Sequence, residues 1–228
     1  MALDARTMLE RNSLFRGLAA ATLDRLAALS SKRTFKSESV IFLRGDPGDA
    51  LFGVVSGRVR VSTQTANGRE VILNVMKPGD VFGEIALLDG QPRTASATAL
   101  SPTQLIIIQR ADFIALLQRD PQLAIHLIEL LCGRVRWTSQ QMEDTSLLNV
   151  SQRLAKRVLH LASSQGLPTK EGVEIRISQE QLAKFLGLSR QIVNKYLQTW
   201  KRKRWIGLGR GRLIVSDERA LLKLGTAE

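Results

Sequence analysis

Apolar residues follow three different rhythms along this chain. Up to about Arg119 they come in short runs cut by turn-forming residues. After a helical lead-in over Leu14–Leu29, Val40–Leu43 gives way to Gly45-Asp46-Pro47-Gly48-Asp49, Leu51–Val55 to Ser56-Gly57, and Val71–Met76 to Lys77-Pro78-Gly79-Asp80. Val59 and Val61 alternate with Arg58, Arg60 and Ser62, the period-two pattern of a half-buried strand. Asn67-Gly68 is a two-residue hairpin signal, and Thr103–Ile108 is the last apolar run. Short strands at a spacing of about ten residues predict a small sandwich or barrel.

The rhythm changes at Pro121. Leu123, Leu127, Leu130, Leu131, Arg134, Val135, Thr138 and Met142 recur at steps of three and four up to about Leu148. That spacing predicts one long helix with an apolar stripe, and a stripe of that length between two domains predicts a dimer seam. The third rhythm begins near Val150: a helix over Gln152–Ser163, a strand over Val173–Ile177, two helices, then two short strands, Trp205–Gly207 and Arg212–Val215, around a Gly-Arg-Gly turn. This order is that of a winged helix.

Composition sharpens the picture at one end. The net charge of +12 is unevenly spread: residues 151–228 carry 16 Lys/Arg against 6 Asp/Glu, while the first 150 are close to balanced, 17 against 15. A basic block so localised fits a polyanionic partner. No stretch reaches the ~20 apolar residues of a membrane span, and Met1 to Arg16 has no signal-peptide core, so a cytoplasmic protein without a membrane partner is expected. One cysteine, Cys132, and two histidines, His126 and His160, leave no disulfide and point to no metal site.

Within the basic block, Ser178-Gln179-Glu180-Gln181 has the form of a capping box. Leu182, Ala183 and Leu186 follow as an inner face, with Ala183 small enough for a close helix crossing, and Gly187 supplies a turn that calls for a positive φ. Ser189 caps the next helix, with Ile192, Val193 and Leu197 turned inward. The spacing of Ala183, Gly187 and Val193 is that of a helix-turn-helix. The expected DNA-contacting residues are Ser178, Gln179, Ser189, Arg190, Gln191, Asn194 and Lys195, with Lys201, Arg210 and Arg212 on phosphates.

The other informative stretch is Phe82-Gly83-Glu84-Ile85-Ala86-Leu87-Leu88-Asp89-Gly90-Gln91-Pro92-Arg93-Thr94-Ala95-Ser96. It closely resembles the phosphate-binding cassette of cyclic-nucleotide-binding domains, and the cyclic phosphate that this resemblance implies carries one negative charge. Arg93 can meet it with paired charge-assisted hydrogen bonds, and a helix starting at Glu84-Ile85 offers free amides. Glu84 suits a ribose 2′-hydroxyl, Gly83 allows close backbone approach, and Thr94 offers a hydroxyl; Glu84 and Arg93 forming a plain salt bridge is the alternative.

The cassette does not stand alone. Together with turn glycines at Gly45, Gly57 and Gly79, the pair Thr138-Ser139 and the helix-turn-helix, the chain resembles the Crp/Fnr family of transcription regulators, in its cAMP receptor branch, over nearly its whole length. The resemblance implies an α+β architecture: a cyclic-nucleotide-binding jelly-roll β-barrel over residues 1–119, a dimerisation helix over 120–148 and a winged helix-turn-helix over 149–228. It implies a site built from Gly83, Glu84, Ile85, Ala86, Arg93, Thr94 and Ala95, base walls that include Val61, Ile72 and Leu73, and Arg134 approaching from the long helix. Thr138 is expected to touch the base in its own subunit, and Ser139 the nucleotide of the other. cAMP is the expected ligand; Thr94 keeps cGMP open. A homodimer on palindromic DNA follows, with RNA polymerase as an expected partner and no catalytic residues.

The recognition helix departs from the family's best-known member, which has Arg-Glu-Thr-Val-Gly-Arg where this chain has Arg190-Gln191-Ile192-Val193-Asn194-Lys195. The operator is therefore open to difference from the family's TGTGA half-site. Three other functions compete with this one. An enzyme wants clustered metal ligands. An iron–sulfur sensor wants about four cysteines; a haem sensor needs only one histidine, and His126 leaves it open. A ligand-independent DNA binder is disfavoured by the intact cassette.

Overall fold

The computed structural model describes residues 5–11 and 14–226; residues 1–4, 12, 13, 227 and 228, part of them in the charged N-terminal stretch, lie outside the described residues. The chain divides into two compact units. One holds the chain to Thr63 with Leu73–Arg136, and the other holds Gln64–Ile72 with Trp137 onward.

Helices α1 (Ala5–Arg11) and α2 (Ala20–Leu29) precede eight strands: β1 (Ser30–Phe35), β2 (Val40–Phe42), β3 (Ala50–Ser56), β4 (Val59–Gln64), β5 (Glu70–Met76), β6 (Val81–Phe82), β7 (Ser96–Ala99) and β8 (Thr103–Gln109). They form two four-stranded sheets, in orders β1-β8-β3-β6 and β2-β7-β4-β5, packed face to face as the expected jelly roll. Phe35, Phe52, Val54 and Leu105 of the first sheet meet Val59, Met76, Ala97 and Ala99 of the second in the inner core.

The outer face of the first sheet is covered as well. Leu51, Val55, Ile106 and Ile108 pack with Leu23, Leu26, Phe113, Leu116, Leu123 and Leu127 of the helices. This double cover explains why β3 is buried at every position but its last and reads as a continuous apolar run, where a half-exposed strand would alternate. Helix α3 (Glu84–Asp89) interrupts the strands after β6, and α4 (Arg110–Arg119), which the sequence pattern did not announce, follows β8.

Helix α5 spans Pro121–Leu147. Asp120 holds its start: one carboxylate oxygen accepts from the amides of Gln122 (3.1 Å) and Leu123 (3.2 Å), and the other from the Thr22 hydroxyl. The expected stripe is corrected in part. Leu123 and Leu127 are buried in the unit's own helical core with Leu130 and Leu131 against them, while Ile128, Val135 and Met142 stand 58%, 65% and 68% exposed at seven-residue steps. The exposed apolar stripe of α5 is this second one, offset around the helix from the leucines.

The second unit contains α6 (Val150–Gln165), β9 (Leu167–Thr169), β10 (Gly172–Ile175), α7 (Gln179–Leu186), α8 (Arg190–Arg202), β11 (Ile206–Gly209), β12 (Arg212–Val215) and α9 (Glu218–Thr226). The strands form one sheet in the order β11-β12-β10-β9. Leu154, Val158, Ile175, Leu182, Val193, Leu197, Trp200, Leu213 and Leu221 share one core. Strand β9 and helix α9 complete the winged helix beyond the sequence expectation. Among the described residues, no helix is long and apolar enough to cross a membrane.

Candidate functional site

The cassette lies between β6 and β7. Gly83, the residue before α3, has φ of 85°, and a Cβ there would stand 2.8 Å from Arg93 Nη1 and 3.3 Å from the Ala50 carbonyl. Only glycine suits both demands. The approach belongs to a grip by Arg93, whose Nη1 donates to the Gly83 carbonyl and Nη2 to that of Ala50, each at 2.8 Å. The guanidinium lies 4.5 Å from the Phe42 ring centroid and 5.5 Å from that of Phe52, with Asp49 Oδ1 at 3.6 Å. Arg93 is 4% exposed, and its Nε is a buried donor without an acceptor. Burial draws its pKa below the usual arginine value, against the opposing pull of Asp49, Asp46 and Glu84.

Glu84 is 1% exposed and is paired with Arg134 Nη1, whose Nη2 donates to the Val81 carbonyl at 2.6 Å. The alternative of a Glu84–Arg93 salt bridge is therefore not what forms; each has its own partners. A cavity of about 70 Å³ opens here, lined by Val61, Gly83, Glu84, Ile85, Ala86, Arg93, Thr94, Ala95 and Arg134, all named from the sequence. Phe42, Met76 and Phe82 also line it and were missed. Their apolar runs signalled strands but not which strand faces converge.

Two expected wall residues are not brought to this cavity. Ile72 is buried on the same face of β5 as Met76 but about 13 Å further along the strand, and Leu73, of opposite parity, is 38% exposed. Thr138 and Ser139 are exposed on α5.

The second unit builds the helix-turn-helix as the residues dictate. Ser178 Oγ accepts from the Gln181 amide (3.1 Å), and Gln181 Oε1 accepts from the Ser178 amide (2.9 Å). Gly187 has φ of 64°, and Ser189 Oγ accepts from the Ile192 amide at 3.3 Å. Ser178, Gln179, Arg190, Arg210 and Arg212 line a cleft of about 650 Å³ between α8 and the β11–β12 wing, with Glu180 an unforeseen acid among them. Gln191, Lys195 and Lys201 are exposed on α8, and Asn194 is half-buried, accepting from Gln198 Nε2 at 3.3 Å. Arg212 pairs with Glu174 at 3.3 Å. One inward assignment is corrected: Ile192 is 42% exposed, because the buried stripe of α8 runs through Val193, Leu197 and Trp200. Among the described residues no three His, Cys, Asp or Glu side chains converge as a metal site would require.

Comparison with known proteins agrees with this geometry. Residues 32–120 match the family model of the cyclic nucleotide-binding domain, and residues 152–224 that of the Crp-like helix-turn-helix domain. The chain is 31% identical over 220 residues to a CRP-like cAMP-activated global transcriptional regulator of Mycobacterium tuberculosis, covering 95% of this chain and 97% of the relative. It is 35% identical over 210 residues to the cyclic AMP receptor protein of Thermus thermophilus, covering 92% and 94%. The crystal structure of the Thermus thermophilus catabolite activator protein superposes with a TM-score of 0.57 at 32% identity, covering 94% of this chain and 98% of that one. Regulators of this family act as dimers on palindromic DNA. With both domain matches in place and relatives similar along almost the full length, the chain belongs to the Crp/Fnr family and is a cyclic-nucleotide-responsive transcription regulator.

Proposed function

We propose that the protein is a homodimeric regulator in the cytoplasm that takes cAMP in the cassette and responds by binding a palindromic operator and RNA polymerase. The observation that carries the ligand reading is Arg93: a desolvated cation in the cavity wall whose Nε has no acceptor. A cyclic phosphate supplies that acceptor. The first turn of α3 adds amides that have no intrahelical partner. Glu84 accepts from the ribose hydroxyl while Arg134 keeps its charge balanced. Thr94 lines the cavity and is exposed, so its hydroxyl serves either purine, and cAMP stands first because the similar regulators named above respond to it.

The cavity is smaller than a nucleotide, so binding requires it to widen. Arg134 sits on α5, four residues before Thr138, and that helix continues to Leu147, close to the start of α6. A ligand that moves Arg134 therefore acts on the helix leading to the DNA-reading unit. A hundredfold gain in operator affinity needs about 2.7 kcal/mol of coupling, and operator DNA must tighten nucleotide binding by the same factor. Calorimetric titration with cAMP, cGMP and 5′-AMP, each with and without operator DNA, tests this. Binding of cAMP that operator DNA strengthens is the expected result. Equal operator affinity with and without either saturating cyclic nucleotide contradicts it.

A further inference from the structure

A second cavity lies wholly within the second unit, among the C-terminal part of α5, helix α6 and the end of α7. It measures about 330 Å³. Three cations of α6 line it, Arg153, Lys156 and Arg157, against one carboxylate, Asp144. Lys156 takes that carboxylate at 2.8 Å. Arg153 and Arg157 are one helical turn apart on the same face, and neither forms a salt bridge with a described residue.

Arg157 is held in place without being neutralised. Its guanidinium lies 5.1 Å from the ring centroid of Phe185 and 5.9 Å from that of Trp137, and Nη2 donates to Gln141 Oε1 at 2.8 Å. Burial draws its pKa below the usual arginine value, and the charge of Asp144 only partly opposes this. Arg153 contributes a second sign of the same kind: its Nε is buried and has no hydrogen-bond acceptor. A desolvated cation is ordinarily paired. Here two neighbouring guanidiniums face one cavity of small-molecule size with two aromatic rings in its wall. The helix-turn-helix reading does not use this arrangement, since its contact residues lie at the start of α7, on α8 and on the wing.

We propose that this cavity binds a small organic phosphate, with the phosphate on Arg153 and Arg157 and an attached planar group against Trp137 or Phe185. It is separate from the cassette, and the proposal does not rest on the cassette's ligand. Phosphate is favoured over a carboxylate because two planar forks can both engage its several oxygens.

The test uses phenyl phosphate and inorganic phosphate as probes, titrated into the full-length protein with and without saturating cAMP and followed by calorimetry. Saturable binding of phenyl phosphate, tighter than inorganic phosphate and undiminished by cAMP, is expected. Arg153→Gln should weaken it at least tenfold, about 1.4 kcal/mol. Arg157→Gln should do the same, and Arg153→Gln, at a half-exposed position, guards against a folding defect at Arg157. Probe binding that cAMP abolishes would assign the probe to the cassette and overturn the proposal, as would binding unchanged in both variants. A third outcome also overturns it: no probe binding, but operator binding weakened in both variants with a salt slope shallower by ~1 each, which makes these arginines DNA-backbone contacts.

Discussion

Replacing Arg93 by leucine separates what this side chain does for the fold from what it does for the ligand. On the folding side, the variant loses two hydrogen bonds from a charged donor to the buried carbonyls of Gly83 and Ala50. Each such bond contributes about 1.5–3 kcal/mol. Leucine between the Phe42 and Phe52 rings recovers about 1.5–2 kcal/mol by apolar burial, and the unpaired Nε disappears with the guanidinium. The net loss is about 1–4.5 kcal/mol, below the usual total of about 5–15, so the protein stays folded. For a chain of this size that corresponds to a melting temperature lower by about 2–18 °C. On the ligand side, a phosphate left without its guanidinium loses about 3–5 kcal/mol, more than a hundredfold in affinity. The assay is thermal unfolding together with calorimetry. Ligand at about a hundred times Kd raises wild-type stability by about 2.7 kcal/mol, and the variant should show almost no rise at the same concentration. A folded Arg93→Leu protein that binds cAMP within about threefold of wild type refutes the assignment of the phosphate to this residue.

Three further outcomes follow. Val135→Glu, on the exposed stripe of α5, should convert the dimer to monomer in light scattering without lowering the helical signal; a dimer that persists at micromolar concentration places the seam elsewhere. Arg190→Ala should cost about 1–3 kcal/mol on the best operator and relax choice at one base pair, whereas Lys201→Ala should weaken all sequences alike and flatten the salt dependence by ~1; a randomised half-site library at two salt concentrations tells them apart. Asp120→Ala should destabilise the first unit by about 1 kcal/mol at neutral pH through loss of the α5 cap. The Thr22 hydroxyl, with the Leu123 and Gln122 amides, holds the Asp120 pKa below its unfolded value, so its stabilisation is full above that value and fades as pH falls through the folded one. Wild-type and variant stabilities should therefore converge in acid, and a gap that widens there contradicts the cap.

Local chemistry made most of both sites legible. The Ser178 box, the positive φ at Gly187 and the Ser189 cap are each set by residues within four positions, and all three form as the sequence implies. The cassette is equally local between Gly83 and Ala95. What the sequence did not show depends on contacts between distant segments. Phe42 and Met76 join the cavity because β2 and β5 belong to the sheet opposite β6, and Ile72 is left out by its distance along a strand that periodicity places only by face. The leucines of α5 and its exposed stripe are interleaved in one seven-residue pattern, so spacing alone could not say which set meets the protein's own core. The Arg134–Glu84 pair spans 50 residues and left no local trace beyond the two charges themselves.

Strand β3 imposes a constraint of a different kind. Ala50, Phe52 and Val54 face the core between the two sheets, and Leu51 and Val55 face the helices, Leu123 and Leu127 of α5 among them. A strand with no solvent face has no silent positions. Volume lost or gained under the helices displaces the same backbone whose Ala50 carbonyl anchors Arg93. Substitutions in the helical layer, remote from any ligand atom, should thus surface in family variation and in mutant screens as shifts in nucleotide sensitivity, and their apparent distance from the site is no measure of their influence on it.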